Sequence, residues 1–511
     1  LRRTPPAFAA SNNNSGNSMI RNGKDIANGT VISTQVCVIG SGPAGITAAW
    51  HLQKAGVKVT LIEGSRDFRG RAMSASWPDK VLLYNGTADG LFATNEPDFL
   101  IQPYADNQNG AWERERIFGG TSWHWAQTRP LDPITFESRP GFPGWPISRQ
   151  ELDPYYQQAA TFCVLYSDDF SAEYWANLLG AKVPNLAGFE AAMYQFVGPS
   201  YRVFSTRTFG DGITIGQSAA DVILNASLLD IDHDQGVVRS LTVASMNDRS
   251  QKDTEFTIKA DVYVLACGAV ANARQLLLSK AGNEHDQVGR YFMCHPLSRD
   301  AVISASGYLC DDEKSLMDGK WFAGSRAGNP WSDQNGVTLT GRFSPNAEKQ
   351  LELGIGSCWF WDGDGQYYFE MAPNPDSRVT LADTRDPVFG QQQTHITWQL
   401  GQRDADTYNK TTKLFEASVG ACGGTTSFPD WATVKSQLEV NGHHIGTTRM
   451  SADPTQGVVD ANLKVHSLAN LYVAGSSVFP STGISNPTFT IIALAIRLAD
   501  HLTGVMGRRP A

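Results

Sequence analysis

The sequence predicts an α/β chain, α+β when taken whole, in which a doubly wound nucleotide-binding domain is joined to a second domain built on an antiparallel sheet. Three observations predict it. A strand, a glycine-rich turn, a helix and a second strand follow one another between Thr34 and Glu63. Two more apolar runs end abruptly in glycine, at Gly268 and at Gly475. The stretches between these blocks are richer in aromatic residues and in alternating apolar and polar positions.

In the first block, Thr34-Gln-Val-Cys-Val-Ile39 is a run of β-formers and Gly40-Ser-Gly42-Pro-Ala-Gly45 is the turn. The helix runs on from Ile46 to Ala55, and Val57 to Ile62 is a second apolar run that closes on Glu63. Each position has a physical task in holding a dinucleotide. Gly40 permits the tight turn, Gly42 lets the backbone approach a pyrophosphate, and Gly45 lets the helix pack on the strand. The helix N-terminus offers unpaired N–H groups and the positive end of its dipole to the phosphate. Glu63 can accept hydrogen bonds from a ribose.

The later blocks read the same way. Val222–Ile231 and Val237–Ala244 form a hairpin-like pair around His233-Asp-Gln-Gly236. Asp261 to Gly268 is a buried strand ending in glycine, followed by a helix from Ala269 to Ser279; Asn470 to Gly475 repeats the pattern, and Pro487 opens a final helix through Leu502. One nucleotide domain is therefore expected from residues 31–67, 113–163, 214–301 and 456–511. Residues 68–112, 164–213 and 302–455 are expected to form the substrate domain, with Gln366–Met371 and Thr394–Leu400 as strands of its sheet. Residues 1–30, which open on an Asn-, Ser- and Pro-rich stretch, read as a disordered leader, with Met19 as a candidate start.

Composition narrows the function. With 511 residues, 41% hydrophobic and 18% charged, the chain is globular rather than fibrous or disordered. Its net charge of −9 and lack of long Lys/Arg runs exclude the electrostatic footprint of a nucleic-acid or anionic-membrane partner. A neutral small-molecule substrate is the expectation. No apolar stretch reaches the roughly 18 residues of a spanning helix; the best candidate, Phe489 to Ile496, stops at Arg497, so no membrane span is expected. The 7 cysteines are scattered, with no ligand-like spacing, and no metal site is expected. A reducing, cytoplasmic compartment is the easier fit, with secretion or a periplasmic location left open by the leader.

Four ordered blocks now give a resemblance. They are Val38 to Gly45 with Glu63; Phe118-Gly-Gly-Thr-Ser-Trp-His-Trp125; Val264 to Ala269; and His443-His-Ile-Gly-Thr-Thr-Arg-Met450, leading to Asn470–Pro480 and Asn486-Pro-Thr488. From Thr34 to Leu502 the chain resembles the glucose–methanol–choline (GMC) family of FAD-dependent oxidoreductases, within it the pyranose oxidase, fructose dehydrogenase and gluconate dehydrogenase branch. The resemblance implies a Rossmann-like FAD domain and a substrate domain on an antiparallel sheet. It also implies that Gly119, Gly120, Thr121 and Ser122 lie along the flavin and pyrophosphate. It places Leu228 at a backbone contact to adenine, and Gly268, Gly475, Ser476, Asn486, Pro487 and Thr488 around the cofactor. Gly475 and Ser476 stand where many members carry Asp-x-Ser, so an acid of the family pattern is missing. His124 matches the histidine that carries covalent flavin in pyranose oxidases; a histidine merely packed between Trp123 and Trp125 is the alternative, and both stay open.

Oxidising an alcohol on a flavin needs a base for the hydroxyl proton beside the hydride acceptor. The family's histidine, three residues before the glycine of the Gly-Thr segment, is His443 here. On an extended segment neighbouring side chains face opposite ways, so His444 is turned from the site. The family's partner just before the last helix is Asn486, which is also a good helix cap ahead of Pro487. His295, in Met293-Cys-His-Pro296, resembles another family segment and is expected to be structural. The expected activity is hydride transfer from a primary or secondary alcohol group of a sugar, glycoside or polyol to FAD, with His443 as base and Asn486 positioning the hydroxyl. Oxidation of a non-sugar alcohol in a biosynthetic pathway, or an electron-transfer or carrier role without alcohol chemistry, are the alternatives. Related enzymes deliver the electrons to oxygen, to quinone or to an electron-transfer protein. The stretch between about 164 and 260 lacks the cysteines with which some sugar dehydrogenases of this branch hold an iron–sulfur cluster.

Overall fold

The computed structural model describes residues 20–65, 99–102, 118–123, 125, 127–183, 185–197, 220–247, 251–298, 331–332, 338–360, 367–438 and 442–507. The strand Val31–Ile39 lies in the middle of the first sheet, with its last residues buried on both faces, as an uninterrupted Val-Cys-Val-Ile run requires. Val59–Ile62 and Lys252–Leu265 flank it in parallel; Asp221–Leu224 extends one side, and Leu471–Val473 pairs in parallel with Lys252–Leu265. Val237–Met246 and Ser227–Asp234 complete the other side as an antiparallel hairpin.

The parallel strands share a direction, so their carboxyl ends meet on one edge, where Gly40, Glu63, Gly268 and Gly475 follow them. In open α/β sheets ligands bind there. The helices Pro43–Lys54 and Ala269–Leu278 start from that edge.

The leader expectation is corrected for residues 20–30. Ile20–Asn22 is an edge strand paired with Asp221–Leu224, and Arg21 forms an ion pair with Asp221. Val31 then leads straight into the central strand. Three residues are too few to show a period, which is why composition alone read this stretch as disordered.

The second sheet is antiparallel throughout: Leu297–Ser298, Tyr367–Phe369, Cys358–Phe360, Thr338–Pro345, Phe189–Phe196 and Gln127–Thr128, with Trp331–Ser332 beside Thr338–Pro345. Gln127–Thr128 and Leu297–Ser298 thus pair outside the nucleotide unit to which the sequence boundaries assigned them. Gln392–Thr397, expected in this sheet, instead joins Arg378–Arg385 and Phe99–Gln102 in a separate three-stranded sheet.

The final helix, Thr488–Val505, corrects the reading that no apolar stretch is long enough to span a membrane. By length and composition it is apolar enough to cross a membrane. Phe489, Ile492, Ala493, Ile496 and Leu498 are buried, and it packs on Pro43–Lys54 and on the helix Arg149–Phe162, where Phe489 stacks on Tyr156 at 5.4 Å. Its apolar residues are core, which is the ordinary use of a helix hydrophobic nearly all round.

Candidate active site

The glycine turn has the shape of a dinucleotide cradle. Gly40 has φ +97°, and a Cβ there would meet the Ala266 carbonyl oxygen at 2.6 Å. A Cβ on Gly45 would come within 1.9 Å of the Gly40 oxygen, so helix and strand touch through bare backbone. A Cβ on Gly42, by contrast, would enter open space. The helix that starts there has no side-chain cap, and Pro43 has no N–H, so the buried Ala44 and Gly45 amides have no partner within the helix. Open space ahead of unpartnered amides at a helix N-terminus fits a phosphate.

Around this cradle the other residues converge. Gly119 donates its N–H to the Ser41 carbonyl at 3.1 Å, and a Cβ on Gly120 would meet Gly42 Cα at 2.9 Å, so the second glycine pair lies on the first turn. Ser122 Oγ donates to the Gly119 oxygen at 2.6 Å, and Thr121 accepts from the Trp125 N–H at 3.2 Å. The Glu63 carboxylate accepts from the Ser41 N–H and hydroxyl and from the Ser65 N–H, which ties the turn to the second strand. Ala226 donates its N–H to the Glu63 carbonyl, and Leu228, two residues on, is buried in the hairpin opposite Val243. Gly268, at φ +84°, caps Ala269–Leu278, and Gly475, at φ +116°, follows the last strand. His124 lies outside the described residues.

His443 is reached from both sheets. Met293 and Ile445 exchange backbone hydrogen bonds at 3.0 and 2.9 Å as an isolated antiparallel bridge. In that register the next facing pair on the same side is His295 and His443, while Cys294 and His444 point the other way. The structure shows this: the His295 and His443 rings meet edge to face at 5.0 Å, and His444 packs on Phe292. His295 leads into the second sheet through Pro296. The His443 segment is tied to the nucleotide sheet, because Ser476 Oγ donates to the His444 carbonyl and Gly446 donates its N–H to the Ser476 carbonyl.

A single set of protons fits the hydrogen bonds. His295 Nε2 stands 2.9 Å from the Gly483 carbonyl, which can only accept, so Nε2 carries hydrogen. Burial pushes His295 down to about 4, so it is neutral and its Nδ1 is bare. His443 Nδ1, 2.8 Å away, must therefore be the donor between them. Burial first, then the neighbouring His295 and His444, hold His443 well below the ordinary imidazole range. A neutral His443 with hydrogen on Nδ1 has a bare Nε2, and Asn486 Nδ2 donates to it at 3.3 Å. The helix-cap alternative for Asn486 gives way here: Pro487 holds the cap position ahead of Thr488, and the Asn486 amide faces His443. Asn486 Oδ1 is buried with no hydrogen-bond partner among the described residues.

The far end of the chain is anchored. The Gly483 N–H donates to Glu370 Oε1 at 3.0 Å, and Glu370 is held by Arg139 at 2.8 Å, both side chains fully buried. The sequence reading missed the contact of His295 with His443. The visible signal was a histidine beside a strand start in Met293-Cys-His-Pro296, but a partner 148 positions away follows only from the bridge.

Comparison with known proteins agrees with this fold. Residues 373–495, which include His443 and Asn486, match the GMC oxidoreductase family, and residues 38–98 match an NAD(P)-binding Rossmann-like domain. The 6'''-hydroxyparomomycin C oxidase of Streptomyces lividus is 24% identical over 91% of this chain and 91% of its own length. The fructose dehydrogenase large subunit of Gluconobacter japonicus is 23% identical over 92% of this chain and 98% of its own. An FAD-dependent oxidoreductase structure from Chaetomium thermophilum shares the fold, with a TM-score of 0.60 at 16% identity over 93% of this chain and 100% of that one. Fold and family define an FAD-dependent oxidoreductase acting on CH–OH groups. Residues 373–495 carry the GMC oxidoreductase match, and over more than nine-tenths of its length the chain is similar to oxidases and dehydrogenases such as these.

Proposed function

We propose that the protein oxidises a primary or secondary alcohol of a sugar, glycoside or polyol, with His443 as the base and Asn486 orienting the hydroxyl. One observation carries the reading: His443 stands with Nδ1 2.8 Å from His295 Nδ1 and Nε2 3.3 Å from the Asn486 amide, an arrangement that leaves Nε2 as the acceptor. Bound FAD supplies the hydride acceptor. Gly42, the Ala44 and Gly45 amides, Gly119, Gly120, Glu63 and Gly475 are the residues that would hold it. His443 Nε2 takes the hydroxyl proton as the carbinol hydrogen leaves with its electron pair. The Asn486 amide hydrogen-bonds the same oxygen without competing for the proton, and its free Oδ1 is an acceptor for a second hydroxyl.

The sugar preference is supported by relatives named for aminoglycoside and fructose oxidation. The test is anaerobic stopped-flow reduction of the bound flavin by a panel of sugars, polyols and simple alcohols, with oxygen and a dye acceptor compared in parallel. The best substrate is expected to be a sugar or polyol. Removing a positioned base typically slows the step ~10²- to 10⁴-fold. His443→Ala should show that loss with its flavin spectrum intact, and a variant reduced at the parent rate would remove His443 from the mechanism.

A further inference from the structure

We propose that His295 is a positioning residue for the base. It fixes His443 in the tautomer that leaves Nε2 bare, and it accepts the Nδ1 hydrogen bond of the imidazolium formed when Nε2 takes the substrate proton. This rests on the reading of His443 as base.

The geometry is directional. Of the two histidines, only His295 has a carbonyl on its far nitrogen, 2.9 Å away at Gly483, so the hydrogen between the rings belongs to His443. Without that acceptor His443 could place its hydrogen on either nitrogen, and the Nε2–H tautomer cannot act as a base. The acceptor is neutral, and this matters as much as its position. A carboxylate in its place would raise the His443 pKa and favour the imidazolium before substrate arrives. A buried imidazole accepts the hydrogen bond without supplying a charge. The Gly483 peptide that orients it is itself fixed, since its N–H is bound to the Glu370 carboxylate and Glu370 to Arg139. The proton balance closes within these groups: one hydrogen arrives at His443 Nε2, and the hydrogens on His443 Nδ1 and His295 Nε2 stay where they are.

The FAD-loaded full chain tests it with three variants. His295→Asn puts an amide oxygen near the place of Nδ1 and keeps an acceptor for His443. His295→Gln reaches toward Gly483 but leaves no acceptor at Nδ1, and His295→Leu removes both functions. At saturating substrate, flavin reduction in the Gln and Leu variants should slow by ~10²-fold, with the Asn variant close to the parent. Nitrogen-15 spectra of histidine-labelled protein should show His443 protonated at Nδ1 in the parent and in His295→Asn, shifting toward Nε2 in His295→Gln. A merely structural histidine would not sort these variants by acceptor. Asn and Gln variants that behave alike, whether fast or slow, overturn the inference. A slow His443→Ala beside a fast His295→Gln removes His295 alone; a fast His443→Ala removes the base on which it depends.

Discussion

The Nδ1 atoms of His295 and His443 stand 2.8 Å apart, close enough that a single hydrogen lies between them. Burial, and after it the two histidine neighbours, hold His443 well below the ordinary imidazole range, so it is neutral at neutral pH. The rate of flavin reduction should be flat through neutral pH and fall only in acid, where Nε2 is protonated. A pH series of stopped-flow traces reads this directly.

Asn486→Asp should reverse that profile. A carboxylate at Nε2 favours the imidazolium and raises the His443 pKa, so the rate at neutral pH should drop and recover as pH rises. Asn486→Ala should slow reduction without that pH dependence. Its melting temperature should stay near the parent's, because Pro487 and not Asn486 occupies the helix cap.

The glycine turn separates binding from folding. A methyl at Gly42 enters open space, so Gly42→Ala should melt like the parent without flavin yet lose FAD, which titration of the apoprotein would measure. Gly45→Ala forces a methyl to within 1.9 Å of the Gly40 oxygen and should cost about 1–3 kcal/mol of stability as well.

Glu370→Gln leaves the Arg139 guanidinium buried without its carboxylate. Breaking a buried pair from one side typically costs ~3–5 kcal/mol, and urea unfolding should show a loss on that scale.

Acid should weaken the fold through His295. Its pKa of about 4 in the folded protein lies below the ordinary 6.5, so the unfolded chain binds more protons between those values. The contribution is fully present above 6.5, declines as pH falls and is lost below about 4, amounting to ~3 kcal/mol. The non-titrating His295→Asn should have a correspondingly shallower fall in unfolding free energy between pH 7 and pH 4.

Much of this was legible in the sequence because backbone constraints are local. Gly40 and Gly45 had to be glycine for reasons that follow from a strand, a turn and a helix in succession, and the structure shows both close approaches. His443 and His444 were separated by strand alternation, and they do face different neighbours. What stayed hidden depends on contacts between distant segments. His295 meets His443 through the Met293–Ile445 bridge, which no period reveals. Gln366–Met371 and Thr394–Leu400 carry similar alternation, yet the strands within them belong to different sheets, since alternation marks a half-buried strand but not its partner.

The pairing of Leu471–Val473 with Lys252–Leu265, and of that strand with Val31–Ile39, sets a timetable for the newborn chain. The ribosome releases the first of these strands more than four hundred residues before the last. At typical elongation rates that interval is on the order of tens of seconds. Until it ends the cofactor edge lacks both Gly475 and the final helix, so a complete FAD cradle has to wait for them. During the wait an apolar strand bordered by open backbone depends on whatever shields it, and flavin supply and chaperone capacity should together set the yield of active enzyme.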